Sequence, residues 1–109
     1  MVKVSVFYPN TAGSTFDMPY YLNRHMPMVK QKLGPALKGM FVEHGLGGGE
    51  PGSPPAYVAM GHLLFDSVEA FQHAWAPHAG AIVGDVPNYT NTQPTIQVSE
   101  VKLQAVPLV

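Results

Sequence analysis

The chain contains no cysteine among its 109 residues. That absence excludes a disulfide framework, a thiolate zinc site and a cysteine nucleophile, and it fits a reducing compartment. Charge is also scarce, because Asp, Glu, Lys and Arg make up 12% of the residues, against about 25% in a typical globular domain. A small chain with so weakly charged a surface is expected to have part of it covered by a second subunit.

The net charge is −1, from six basic and seven acidic residues. No excess of positive charge is available to bind phosphates, so we expect no nucleic-acid partner. The first residues alternate as in a strand and lack the long apolar run of a signal peptide or membrane span. We therefore expect no membrane partner, a cytoplasmic location, and one domain over residues 1–109.

Hydrophobic periodicity predicts six elements in the order strand, helix, strand, strand, helix, strand. The first helix begins after the N-cap residue Asp17, and the second begins after Ser67 and is interrupted by Pro77. The predicted ranges are strands over residues 2–8, 37–46, 56–66 and 95–104, and a first helix over 18–33.

This order is typical of an α+β, ferredoxin-like βαββαβ sandwich, with two helices on one face of a four-stranded antiparallel sheet. The other sheet face is then left bare. In the third strand apolar residues alternate onto both faces, with Leu63 and Phe65 on one and Met60 and Leu64 on the other. The bare face should not meet water. We expect a second copy to cover it, giving a homodimer through the sheet face.

The first helix carries the most informative pair of residues, Tyr21 and His25. They lie four residues apart, on the apolar stripe of the helix, and so point to the same side. His25 is then either a core histidine bonded to a backbone carbonyl or an acid or base lining a ligand cavity. Tyr20 lies about 100° further round the helix, so Tyr21 is the inward choice. Pro27 predicts a kink or a break near His25.

A second cluster of polar and aromatic residues follows the second helix. Trp75, His78, Asp85 and Tyr89 bring an indole, an imidazole, a carboxylate and a phenol into a short stretch. Its simpler interpretation is a packed helix end with Asp85 capping the next turn, which we favour for Asp85. Phe71 lies on the same helical stripe as Trp75.

The histidines do not have the spacing of a metal site. His44 and His62 have the parity to share a hairpin face but would lie far apart, and His73 and His78 miss the i, i+4 spacing of helical zinc ligands. We expect no metal. The Gly-rich stretch at 47–52 matches the dinucleotide pattern GxGxxG, but it joins two strands and no helix N-terminus follows to receive a phosphate.

Three stretches together resemble a known family. They are Phe16-Asp17 with Tyr20-Tyr21 and residues 25–29, residues 85–90 before the last strand, and residues 94–101 within it. The chain resembles the EthD family of the dimeric α+β barrel superfamily, which is named for ethyl tert-butyl ether degradation. The resemblance implies a homodimer with its two sheets face to face, and one pocket per subunit between sheet and helices.

The family is similar in pocket shape to cofactor-free monooxygenases and to muconolactone isomerase-like enzymes. We therefore expect an oxidoreductase or isomerase that acts without cofactor on a small hydrophobic, aromatic or phenolic molecule. His25 would be the base and Tyr21 would hydrogen-bond the oxyanion. The residues expected to bind substrate are Phe71, Trp75, His78, Asp85 and Tyr89.

Two other hypotheses remain open. One is a non-catalytic accessory protein that carries a hydrophobic intermediate for a degradation-pathway monooxygenase, since the same pocket serves both roles. The other is haem degradation, which would use Trp75 and a histidine ligand, although the sequence carries no specific haem motif.

Overall fold

The computed structural model describes residues 1–105. Four antiparallel strands form a single sheet in the order β2-β3-β1-β4. The helices pack on one face of this sheet, which is the α+β, ferredoxin-like arrangement that the element order predicts. The strands are β1 (Val2–Pro9), β2 (Gly39–His44), β3 (Tyr57–Phe65) and β4 (Thr95–Glu100).

Strand β1 lies in the middle of the sheet and pairs with β3 on one side and β4 on the other. Its residue Val4 is opposite Leu63 of β3 and Val98 of β4. Strand β4 ends at Glu100 rather than continuing to residue 104, and β2 is likewise shorter at both ends than its predicted range. Strand ends are hard to locate from sequence because apolar alternation continues after the ladder hydrogen bonds stop.

The first helix spans residues 18–33 and contains a π-helical segment, Tyr21–His25, between two α-helical segments, Met18–Tyr20 and Met26–Leu33. The Asp17 side chain caps its start by accepting from the Tyr20 amide at 3.0 Å. In the π segment the Met26 amide donates to the Tyr21 carbonyl, five residues back. The irregularity that was predicted near His25 therefore takes the form of a π segment between two α-helical segments.

The second helix, Val68–Trp75, and the third, Ala79–Gly84, are separated at Pro77 as the sequence predicts. Ser67 caps the second helix by accepting from the Ala70 amide at 3.0 Å. A short 3₁₀ turn, Val86–Asn88, follows the third helix and leads into the segment before β4. The structure places no helix long and apolar enough to cross a membrane within residues 1–105.

The two faces of the sheet differ in burial. We call the face that carries the helices the inner face, and its side chains Val4, Tyr8, Leu63 and Phe65 are nearly fully buried. We call the opposite face the outer face, where Phe41 is 54% exposed. The register overturns one prediction. Phe41 is opposite His62, whereas His44 is opposite Ala59, so His44 and His62 lie on opposite faces.

Candidate functional site

A cavity of about 320 Å³ lies between the inner face of the sheet and the helices. Its volume is in the range of pockets for small organic ligands. None of its lining residues is Lys, Arg, Asp or Glu. The lining residues are Val6, Tyr8, Gly61, Leu63 and Ile96 from the sheet, Tyr21, His25, Met26, Val29, Trp75, Ile82 and Val83 from the helices, and Val86, Pro87, Tyr89, Thr92, Gln93 and Pro94 from the segments between them.

The π segment of the first helix presents Tyr21 and His25 to this cavity. Tyr21 is 2% exposed and His25 is 4% exposed, so both are shielded from bulk solvent. Their rings stack, with centroids 5.4 Å apart and planes inclined by 13°. Since the stack fixes the imidazole plane, the edge of His25 that borders the cavity is held in one orientation.

The other edge of the imidazole contacts a carboxylate. Nδ1 of His25 lies 2.9 Å from Oδ2 of Asp85. Oδ1 of the same carboxylate accepts from the Tyr20 hydroxyl at 2.7 Å and from the Asn88 side-chain amide at 2.9 Å. Three donors therefore hold Asp85 in place beside His25. The Asp85 carbonyl accepts from the Asn88 backbone amide, but its side chain makes no capping hydrogen bond to the backbone of the turn. The predicted cap is therefore wrong, because the carboxylate contacts His25 instead.

The environment keeps the imidazole neutral and the carboxylate ionised. Burial lowers the pKa of His25 below its ordinary value of 6.5, and the hydrogen bond and charge of Asp85 only partly oppose this. For Asp85, partial burial acts to raise the pKa, but hydrogen bonds from Asn88, His25 and Tyr20 outweigh it and lower the pKa below 3.8. A carboxylate only accepts hydrogen bonds, so Nδ1 of His25 carries the hydrogen and Nε2 carries the lone pair.

Two phenols extend this chain of hydrogen bonds on the cavity side. The Tyr89 hydroxyl lies 3.4 Å from Nε2 of His25, and 2.7 Å from the Tyr8 hydroxyl. Burial raises the pKa of Tyr8 and of Tyr89 far above that of a free phenol, so both hydroxyls stay protonated at neutral pH. The side chains therefore form a hydrogen-bonded series that begins at the cavity and ends at the carboxylate, in the order Tyr8, Tyr89, His25, Asp85.

Tyr89 is positioned by the segment that precedes the first helix. Its backbone carbonyl accepts from the Asp17 amide at 2.7 Å, and Phe16 and Thr90 form an antiparallel bridge. The Thr90 hydroxyl also donates to the Thr15 carbonyl at 2.7 Å. These contacts tie together the first and second of the three stretches that carry the family resemblance.

Gly61 of β3 has no side chain, and this leaves space for the ring of Tyr21. The Tyr21 hydroxyl occupies the position that a Cβ atom at Gly61 would take, and the nearest ring carbon is 3.6 Å away from that position. A glycine inside a strand often marks such a close approach. This signal was present in the sequence, within the third predicted strand.

The residues expected to form the site are only partly brought together. Tyr21, His25, Trp75 and Tyr89 line the cavity, and Asp85 reaches it through His25. Phe71 and His78 are not among the cavity-lining residues.

Phe71 packs against Phe65, with centroids 5.2 Å apart, because it lies one turn before Trp75 and meets the sheet elsewhere. The backbone carbonyl of His78 accepts from the Ile82 amide, so His78 is the N-cap residue of the third helix. Tyr8 was not expected at the site, although strand alternation places it on the inner face.

A second histidine network lies on the outer face. Nδ1 of His62 is 2.7 Å from the Ser5 hydroxyl, and Nε2 is 3.0 Å from Oε1 of Glu43. Ser5 is in the central strand, whose amides are used in the ladders to β3 and β4, so none is left to stabilise an oxyanion. Across residues 1–105 no group of three or more His, Asp or Glu side chains is arranged to hold a metal.

The fold and the cavity define a small ferredoxin-like α+β protein with a histidine–aspartate pair beside an apolar pocket. The model of the EthD domain matches residues 14–93. The chain belongs to the EthD family.

Among solved structures, an EthD-like protein from Ralstonia eutropha JMP134 is 48% identical, with a TM-score of 0.90 over 96% of this chain and 95% of that one. An EthD family protein from Bacillus halodurans C-125 is 23% identical, with a TM-score of 0.71 over 93% of this chain and 98% of that one.

HapK from Hahella chejuensis is 10% identical, with a TM-score of 0.54 over 95% of this chain and 97% of that one, and shares the fold. The comparison with curated proteins gives no match.

Proposed function

We propose that this chain is a cofactor-independent enzyme, monooxygenase-like or an isomerase, that removes a proton from a small aromatic or phenolic substrate with His25 as the base. The observation that carries the proposal is the neutral imidazole of His25, which borders the cavity at one edge and meets Asp85 at 2.9 Å on the other. A base must be within reach of the substrate and unprotonated near neutral pH. The position of His25 in the cavity wall and its lowered pKa support both conditions for Nε2.

Asp85 and the cavity supply what such a base requires. When Nε2 accepts the substrate proton, the imidazole becomes a cation, and the adjacent carboxylate stabilises that charge in a site of low polarity. The walls formed by Val29, Leu63 and Trp75 exclude water and fit an apolar ring.

Both reaction types begin with this proton transfer. In an isomerase, the proton returns from His25 to a different carbon of the same anion. In an oxygenase, the substrate anion passes electrons to the co-reactant dioxygen. One oxygen atom then becomes a carbonyl at a former CH2 carbon of the substrate, and the other leaves as water with the two hydrogens which that carbon loses. Tyr21 stacks on His25 and lines the same cavity, and it is the candidate partner for the oxygen of the anion.

The proposal is tested with a panel of hydroquinones, naphthols and cyclic enones in heavy water. Deuterium uptake followed by NMR reports proton abstraction, and an oxygen electrode reports oxygenation. The parent should catalyse one or both for some panel member, and His25→Gln should lose about 10²- to 10⁴-fold in rate while its ligand affinity is retained. His73→Gln, at an exposed position of the second helix, is the matched control.

The alternative is a carrier that holds a hydrophobic intermediate for a partner monooxygenase. The apolar lining of the cavity serves that role equally well. A parent that binds panel members without any exchange or oxygen uptake, and a His25→Ala variant that loses affinity, would favour carriage over catalysis.

The outer face of the sheet supports a homodimer as the working form. Phe41 is 54% exposed there, and Phe7, Val58 and Met60 beside it are only half-buried. Three polar side chains of this face, Ser5, His62 and Glu43, are already paired with one another within one chain, so a second copy can cover these three without leaving their donors unsatisfied. The absence of cysteine supports the expected cytoplasmic location.

A further inference from the structure

We propose that the hydroxyls of Tyr8 and Tyr89 form an oxyanion site which proton transfer to His25 switches on, and that this site selects uncharged phenols and enolisable ketones over carboxylates. The inference rests on the proposed function, because it takes His25 as the base. It adds two residues to the chemistry and defines the charge of the substrate.

The proposal rests on the hydrogen bonds that link Asp85, His25, Tyr89 and Tyr8, and on which group donates in each of them. In the resting state Nδ1–H of His25 donates to Asp85, so the lone pair of Nε2 is the acceptor that faces Tyr89. The Tyr89 hydroxyl can donate to that lone pair and accept from the Tyr8 hydroxyl at 2.7 Å. Each hydrogen then has an acceptor, and the arrangement is satisfied without a ligand.

Proton uptake by His25 reverses the direction of the hydrogen bond between its Nε2 and the Tyr89 hydroxyl. When Nε2 becomes N–H it is a donor, and the Tyr89 hydroxyl no longer has an acceptor on His25. We expect its hydrogen to turn to the oxyanion left on the substrate, while its oxygen still accepts from the Tyr8 hydroxyl. The contact between Tyr89 and Nε2 is long, at 3.4 Å, so little hydrogen-bond energy opposes the change.

Every bond broken in this step is matched by a bond formed within the site. The substrate O–H or C–H bond breaks, its proton forms the Nε2–H bond of His25, and the electron pair stays on the substrate as an oxyanion. The Tyr89 hydroxyl donates to that oxygen and Tyr8 supports it from 2.7 Å away. No redox partner is needed for this step.

The same lining disfavours a substrate that is already charged. No Lys or Arg lines the cavity, and the carboxylate that contacts His25, Asp85, is negative. An incoming carboxylate would lose its hydration without gaining a cation. A neutral substrate avoids that cost, because its negative charge appears only as the imidazolium forms beside it.

The test uses 4-nitrophenol, whose ionised form is yellow, with 4-nitroanisole as a neutral analogue that cannot ionise and 4-nitrobenzoate as the carboxylate. Trp75 is the single tryptophan and lines the cavity, so quenching of its fluorescence reports occupancy directly. Absorbance of bound 4-nitrophenol against pH reports whether the oxyanion is stabilised.

In the parent we expect 4-nitrophenol to ionise at lower pH when bound than when free, and 4-nitrobenzoate to bind at least about tenfold more weakly. Tyr8→Phe and Tyr89→Phe should each weaken binding of the ionised form by about tenfold or more while leaving 4-nitroanisole unchanged. Tyr57→Phe, a phenol that packs on Phe7, is the matched control and should change neither.

Two results would overturn the inference. The first is an unshifted ionisation of bound 4-nitrophenol that neither tyrosine variant alters, and the second is equal affinity for 4-nitrobenzoate. If either occurs while His25→Gln still abolishes proton abstraction, only the oxyanion site is wrong. If none of the three probes quenches the fluorescence of Trp75, the proposed function is also contradicted, because the cavity then does not bind aromatic molecules.

Discussion

Nδ1 of His25 and Oδ2 of Asp85 lie 2.9 Å apart, although 60 residues separate them in the chain. The contact fixes which imidazole nitrogen carries the hydrogen. Asp85→Asn keeps the shape of the side chain but presents an amide donor to Nδ1, which favours the hydrogen on Nε2 and removes the lone pair from the cavity edge. We expect proton abstraction to fall by about 10²- to 10⁴-fold with ligand affinity largely kept.

The prediction is checked by determining the tautomer of His25 by NMR. Nitrogen chemical shifts of His25 should show a protonated Nδ1 in the parent and a protonated Nε2 in Asp85→Asn. Asp66→Asn is the matched control, since Asp66 is an exposed carboxylate 3.9 Å from Lys38 and should change nothing. An unchanged tautomer in Asp85→Asn would contradict the role given to this contact.

The lowered pKa of His25 makes the folded state sensitive to acid. The unfolded chain takes up a proton near pH 6.5, while the folded chain resists it to a lower pH, so the free energy of unfolding decreases as pH falls below 6.5. Asp85, whose pKa is held below 3.8, adds a further loss of stability below pH 3.8. One such proton sets a slope of at most about 1.4 kcal/mol per pH unit.

Urea unfolding of the parent and of His25→Gln over this pH range measures the effect. The parent should lose stability with a steeper slope below pH 6.5 than the variant, in which the titrating group is gone. Parallel profiles for the two proteins would show that His25 titrates alike in both states.

The sequence predicts the part of the candidate site whose residues lie close together in the chain. Tyr21 and His25 share a helix face by their spacing of four, and Tyr21 is indeed the inward tyrosine, at 2% exposure. The partner of His25 is not local. Asp85 reaches Nδ1 only after the segment following the third helix folds back over the first helix, and no periodicity in either segment encodes that meeting.

The sequence predicts where the first helix is irregular but not the form of the irregularity. A kink or break was predicted near His25 because Pro27 lacks an amide hydrogen, and the helix is divided there by the π segment Tyr21–His25. His44 and His62 were given a common face by parity, yet the register that sets Phe41 opposite His62 separates them. Register is fixed by the packing of a whole strand, so one residue of uncertainty reverses a face.

The outer face of the sheet yields a prediction on assembly. Phe41→Glu puts a charge on the edge strand β2, within the surface proposed to contact a second copy, and we expect it to convert a dimer into a monomer in sedimentation velocity. Leu46→Glu is the control, since Leu46 is 92% exposed and follows β2 outside the sheet. A monomeric parent, or equal dissociation of both variants, would contradict a homodimer through this face.

The close approach of Tyr21 to Gly61 gives a prediction with an internal rescue. Gly61→Ala places a Cβ atom where the Tyr21 hydroxyl lies, so the ring must move, and we expect a loss of about 1–3 kcal/mol in the free energy of unfolding. In a Tyr21→Phe background the oxygen is absent and the ring carbon keeps an ordinary 3.6 Å contact, so the same change should cost much less.

Chemical denaturation of the four proteins in this double-mutant cycle measures the coupling, which should exceed about 1 kcal/mol. Gly80→Ala is the matched control, because a Cβ atom there meets nothing within 4 Å and alanine favours the third helix, so stability should hold or rise. An equal cost of Gly61→Ala in both backgrounds would mean that the strand, and not the tyrosine, requires the glycine. The ring that positions His25 would then be held by its stack and its apolar neighbours alone.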